Sequence, residues 1–178
     1  MNIDKSKLQV GVIGSMTDVD VSDESQQMAE NLGQAVAKAG AVLFYSHEGD
    51  YESLPTLAAK AAREAGAQTV GFLWSDGVSN LPSGIHIHTG QRRGGGREFS
   101  FINSCDAIIA IGGGSGTLME IAMAYQAGIP ILAFANHGGW AANLSGKYVD
   151  SRERLLIQKA YTIEDVVNFL TTLNDGRL

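Results

Sequence analysis

What this 178-residue chain lacks bounds what it can be. It has one cysteine, Cys105, which excludes an internal disulfide and any cysteine-based metal cluster. Basic residues are scarce, 13 lysines and arginines against 19 aspartates and glutamates, for a formal net charge of -6. Non-specific binding to DNA or RNA relies on basic surface to displace counterions, so nucleic acid is not an expected partner. Long apolar runs are missing too. No stretch reaches membrane-spanning length, and the opening MNIDKSKLQV has no long apolar region after its charges. Neither a leader nor a membrane anchor is expected, and the cytoplasm is the expected compartment. Prolines number three, and no repeat or low-complexity linker divides the chain. With 44% hydrophobic residues it is long enough to bury a full core, so residues 1–178 are expected to form one domain.

Glycine is what the chain has in quantity, 22 residues, and the densest run organises the rest. Between Asp106 and Glu120 five apolar residues, Ala107 to Ile111, precede Gly112, Gly113, Gly114, Ser115, Gly116 and Thr117. The apolar run suits a strand buried on both faces of a parallel sheet. Leu118, Ile121, Ala122 and Tyr125 then recur at helical spacing, predicting a helix that begins near Thr117. Strand, bare loop and helix in that order let backbone N–H groups approach a ligand, and the helix adds the positive end of its dipole. The chemistry points to phosphate or a similar oxyanion. No Gly-Lys-Ser/Thr follows, so this is not a Walker loop. Thr117 stands where a dinucleotide fingerprint needs its third glycine, and no acidic residue ends the next strand to hold an NAD ribose.

IGGGSGTLMEIAMAYQAGIPI closely resembles the Pro-Gly-Gly-x-Gly-Thr-x-x-Glu segment of the LOG-like Rossmann proteins, above all the branch with Gly-Gly-Gly, which includes the molybdenum-cofactor carrier proteins. The resemblance is strong over 97–130 and weaker over 10–73. It implies a homo-oligomer, dimer or tetramer, and a small anionic ligand. The group has also carried a lysine-decarboxylase label, but no Ser-x-His-Lys-type pyridoxal site stands in this sequence. Members of known activity cleave the N-glycosidic bond of a nucleoside 5'-monophosphate and release ribose 5-phosphate. By that resemblance Arg97 and Glu120 would be the catalytic pair, Glu120 beside the ribose and Arg97 on the phosphate or leaving base. Read from the residues alone, Thr117-x-x-Glu120 is also a capping box.

Along the chain, residues 8–13 read as a first strand ending in Gly14-Ser15, where Ser15 either donates to a ligand or bonds its own backbone. Ser22 or Asp23 caps a helix that Gly40 stops. Strands are expected at 41–46, 69–74, 129–134 and 155–160, and Thr162-x-x-Asp165 caps a last helix. Two segments depart from the LOG pattern. Where relatives have a glycine-rich turn, this chain has Ser46-HEGDYESLP-Thr56, whose acidic residues repel phosphate. Glu98 replaces the lysine or asparagine that follows the family's arginine, with Arg92 and Arg93 nearby as compensation. His86 and His88 alternate on one face of an extended segment, and 136–150 reads as a long polar loop carrying Trp140. No metal site is expected.

The expected fold is α/β, a three-layer Rossmann-like doubly wound parallel sheet in a single domain, with ligands at the strand C-terminal ends. There Gly14 and Ser15 would meet Gly112, Gly113, Gly114, Ser115, Gly116 and Thr117. The expected function is binding or carriage of a phosphorylated small molecule, a nucleotide or a molybdenum-cofactor-type pterin phosphate, with no cofactor required for chemistry. The alternative is a nucleoside 5'-monophosphate phosphoribohydrolase.

Overall fold

Seven short strands, the central ones apolar, pair in parallel, order β4-β3-β2-β1-β5-β6-β7, in a computed structural model that describes residues 7–16, 21–47, 52–74, 84–91 and 96–176. The strands are β1 Gln9–Gly14, β2 Val42–His47, β3 Thr69–Leu73, β4 Ile85–His88, β5 Ala107–Ile111, β6 Ile131–Phe134 and β7 Gln158–Ala160. The helices are α1 Asp23–Lys38, α2 Leu54–Glu64, α3 Gly96–Asn103, α4 Ser115–Ala127, α5 Gly139–Leu144 and α6 Ile163–Asp175. Alternate residues of each central strand face opposite layers. Val10, Val12, Leu43, Tyr45, Ile109 and Phe134 pack under α1, α2 and α6, while Phe44, Phe72, Ile108, Ala110 and Ala133 pack under α3, α4 and α5. This is the three-layer, doubly wound α/β domain that the sequence predicts.

The helices begin and end where their chemistry says they should. Ser22 caps α1 and Ser53 closes a capping box on α2. Thr162 and Asp165 do the same for α6. α1 and α2 approach so closely that a Cβ on Gly33 would collide with the Ala58 carbonyl and stand 2.8 Å from its carbon. Gly33 is therefore a packing residue in a helix interior, where its low helical propensity is otherwise a cost.

Two expectations need correction. The segment after β6 is not all loop: Gly139–Leu144 forms α5. The last strand is three residues long, because 155–157 cross toward the α3, α4 and α5 layer and Ile157 buries there before β7 begins. The alternating segment 85–88 is extended as expected and forms β4, an edge strand paired with β3. Its His86 is half-buried, with Nε2 3.5 Å from the Tyr45 hydroxyl, and its His88 is exposed. Cys105 is buried and donates its thiol to the Phe101 carbonyl at 3.2 Å, the passive core thiol its position suggests.

Candidate functional site

Parallel strands β1 and β5 lie side by side with Gly14 opposite Ile111, but the chain leaves β1 toward β2 and leaves β5 toward β6. The diverging connections open a crevice at the strand C-terminal ends. A cavity of about 530 Å³ occupies it, within the range typical of small-molecule sites.

One wall is backbone. Gly112 and Gly113 take positive φ, +66° and +94°, and turn the chain from β5 into α4. The helix starts at Ser115 with Gly114 as its N-cap, and no side chain caps it. Its positive end therefore faces the cavity beside Gly113, Gly114, Ser115, Gly116 and Thr117. Two hydroxyls fix the loop. Ser15 Oγ accepts from the Gly113 N–H at 2.7 Å, and Thr117 Oγ1 donates to the Gly14 carbonyl at 3.3 Å. The Ser15 carbonyl also accepts from Leu54 N at 2.9 Å, which ties the start of α2 to the same knot. Ser15 therefore bonds across to another loop, neither of the two expected roles alone.

The other wall carries charge. Arg97 and Glu98 open α3 and are buried at the cavity edge. Arg97 Nη2 donates to Glu98 Oε1 at 2.7 Å, and Nη1 donates to the His47 carbonyl at 3.2 Å. The guanidinium that the sequence offers as a counter-charge for phosphate is thus already held by a neighbouring carboxylate. Glu120 lines the cavity and is 9% exposed. Its capping-box reading fails: with Gly114 at the N-cap, Glu120 lies too far into α4 to reach the helix-start N–H.

Sequence reading places the segment after β6 at the ligand-facing end of the sheet but does not single out the residues that line the cavity. His137, Gly138 and Gly139 line the cavity, Trp140 N donates to the Gly113 carbonyl at 2.8 Å, and Ala141 N donates to that of Gly112 at 3.0 Å. Trp140 thus anchors through its backbone, and its side chain is partly exposed. His137 Nδ1 lies 2.9 Å from Ser25 Oγ, and its ring stands edge-on to Phe134. Burial lowers the His137 pKa, against a weaker opposing pull from Glu24. The available signal was a His-Gly-Gly turn immediately after a buried strand, the same pattern that made Gly112 conspicuous. Of the acidic loop, Glu48, Asp50 and Tyr51 lie outside the described residues, as do Arg92 and Arg93. Glu52, from the same loop, pairs with Lys60 on α2. Among the described residues no three His, Cys, Asp or Glu side chains converge as a metal site, and no helix is long and apolar enough to cross a membrane.

The family model described as the SLOG cluster4 family matches residues 7–167, which includes every element that builds this cavity. The chain belongs to that family. This SLOG chain is 32% identical over 122 residues to an uncharacterized protein of Archaeoglobus fulgidus, 68% of this chain and 76% of that one. Among solved structures it is similar to TM1055, a structural-genomics target, at 28% identity and TM-score 0.81, covering 94% of this chain and 99% of that one. It is also similar to the molybdenum cofactor carrier protein of Chlamydomonas reinhardtii, at 26% identity and TM-score 0.79, covering 95% and 99%. The molybdenum cofactor binding protein of Rippkaea orientalis, at 24% identity and TM-score 0.78 over 96% and 99% of the two chains, shares the fold.

Proposed function

We propose that this SLOG protein binds and carries a phosphorylated small molecule, a nucleotide or a pterin phosphate such as the molybdenum cofactor. The observation that carries the reading is the uncapped start of α4 and its glycine loop forming one wall of a cavity of about 530 Å³. Unpaired helix-start N–H groups and the helix dipole favour an anion there. In this reading Gly14, Ser15 and the run Gly112, Gly113, Gly114, Ser115, Gly116 and Thr117 hold the phosphate, and the rest of the cavity takes the ring system. The similarity to the Chlamydomonas reinhardtii carrier supports the pterin phosphate as one candidate. The working form is a cytoplasmic homo-oligomer, dimer or tetramer, a state that light scattering on the purified protein measures.

One observation favours a second reading, a nucleoside 5'-monophosphate phosphoribohydrolase. Glu120 has no capping duty and borders the cavity with Arg97. A carboxylate in that place stabilises the positive charge that develops on a sugar ring as its glycosidic bond breaks. One experiment separates the two readings. Nucleoside 5'-monophosphates are offered to wild type and to Glu120→Gln, and both ribose 5-phosphate release and the melting temperature are followed. Release by wild type that Glu120→Gln lacks establishes the hydrolase. A rise in melting temperature with nucleotide or molybdenum cofactor, without release, supports the carrier. Neither effect with any of these ligands would sink both.

A further inference from the structure

The two helical layers treat charge differently. On one side of the sheet α1, α2 and α6 turn charged side chains to solvent, and Glu24, Lys38, Arg63, Glu64 and Glu164 are all exposed. On the other side the charged residues of α3, α4 and α5 are Arg97, Glu98 and Glu120, and all three are buried at the cavity. The outward surface of these three helices therefore carries no charge. It carries Phe99 on α3, 60% exposed, and Trp140 on α5. Between them lies α4, in contact with both neighbours. Its Leu118, Met119 and Ala122 are half-buried, yet they belong to the core on neither side of the sheet. Exposed Gln126 continues their row one turn further on. A surface helix ordinarily turns a charged or polar side to water, and a helix that is apolar all round is ordinarily covered.

We infer that a second copy of this chain covers it, α4 packing against its mate across a two-fold axis that passes near Ala122. This contact presupposes the homo-oligomer proposed above and names the face that forms it. Charge selects the occupant. Each copy carries -6, so two copies repel unless they meet where no like charges come within about 8 Å, the screening distance at physiological salt. The α3, α4 and α5 layer is such a place, and a charged partner would find nothing there to pair with. Composition agrees, since the centres of interfaces between like subunits are poor in charge and rich in methionine and aromatic residues. So does shape. A two-fold contact sets one patch against itself, and Ala122, the smallest residue of the row and near the middle of α4, lets the paired helices approach to about 8–10 Å. With 13 residues α4 is about 20 Å long, and three helices abreast span about 30 Å. A copy seated there removes roughly 600 Å² from each partner, the lower end of what a specific interface needs.

The test is the mass of the full chain in solution, by sedimentation equilibrium. Wild type is expected at an even multiple of the 18.8 kDa monomer. Ala122→Glu sets two carboxylates against each other across the axis and is expected to halve that mass, and Met119→Glu to do the same. Val167→Glu is the control: Val167 is also apolar and 44% exposed, but on α6 in the charged layer, and its variant should keep the wild-type mass. An equimolar mixture of Ala122→Glu and Ala122→Lys should regain the wild-type mass, because opposite charges then face each other. Circular dichroism checks that each variant is folded. Folded Ala122→Glu and Met119→Glu at the wild-type mass overturn the inference, as does a Val167→Glu that dissociates, or a mixture that stays at half the mass. A monomeric wild type would instead remove the homo-oligomer itself.

Discussion

Replacing Gly139 by alanine tests whether the segment after β6 braces the glycine loop between β5 and α4. Gly139 has φ +61°, and an added Cβ would collide with the Gly112 carbonyl carbon and stand 2.5 Å from the Gly113 oxygen and 2.6 Å from its nitrogen. Those are backbone atoms pinned by the bonds from Trp140 N and Ala141 N, so they cannot swing aside as a side-chain tip would. Two terms add. The left-handed backbone costs a residue with a Cβ roughly 1–2 kcal/mol, and forced overpacking costs about 1–3 kcal/mol more. Gly128→Ala supplies the control: Gly128 also has positive φ, +72°, but nothing lies within 4 Å of its added Cβ. It should lose only the first term. A domain of ordinary stability, about 5–15 kcal/mol, stays folded under either change. Urea unfolding reads the difference as a lower midpoint for Gly139→Ala than for Gly128→Ala, with the slope unchanged. Equal midpoints would mean that the two loops yield freely, and that the 138–141 segment does not shape the cavity.

Gly33→Ala should separate α1 from α2; about 1–3 kcal/mol of overpacking, felt against the Ala58 backbone, outweighs a helix-propensity gain of about 1 kcal/mol, and urea unfolding measures the net loss. Ser15→Ala removes the acceptor of the Gly113 N–H, which should cost about 1 kcal/mol of stability and weaken phosphate binding together, read by urea unfolding and calorimetry. His137 titrates below its usual 6.5 in the folded chain. The unfolded state thus binds the proton more readily, and this contribution to stability is complete above pH 6.5 and is lost as pH falls below it. The stability advantage of wild type over His137→Asn should therefore shrink between pH 7.5 and pH 5.5, as urea midpoints will report. Cys105 is 7% exposed and burial raises its thiol pKa, so a thiol-specific reagent should label native protein far more slowly than protein in denaturing urea.

The order of the elements was legible because it depends on local pattern. Five apolar residues between polar boundaries announce β5, the 3.6-residue spacing of Leu32, Ala35 and Val36 announces α1, and Ser53 and Thr162 mark helix starts by their hydroxyls. The glycine run announced the turn from β5 into α4 on the same terms, since the absence of Cβ atoms is a property of residues read one at a time. Which groups meet across the fold is another matter. Ser15 and Gly113 are 98 residues apart, Ser25 and His137 are 112 apart, and their bonds exist only because β1, β5 and β6 lie side by side. The role of Glu120 turned on where α4 begins, a difference of three residues that local propensity cannot resolve: Thr117 looks like a cap, yet its hydroxyl is drawn off to the Gly14 carbonyl and the helix starts at Ser115. Arg97 and Glu98 are adjacent in sequence, but whether they flank a ligand or neutralise one another was decided by burial, which leaves a charge in the interior no cheaper partner than the nearest opposite one. Sequence supplied the residues of the candidate site; packing decided which of them meet.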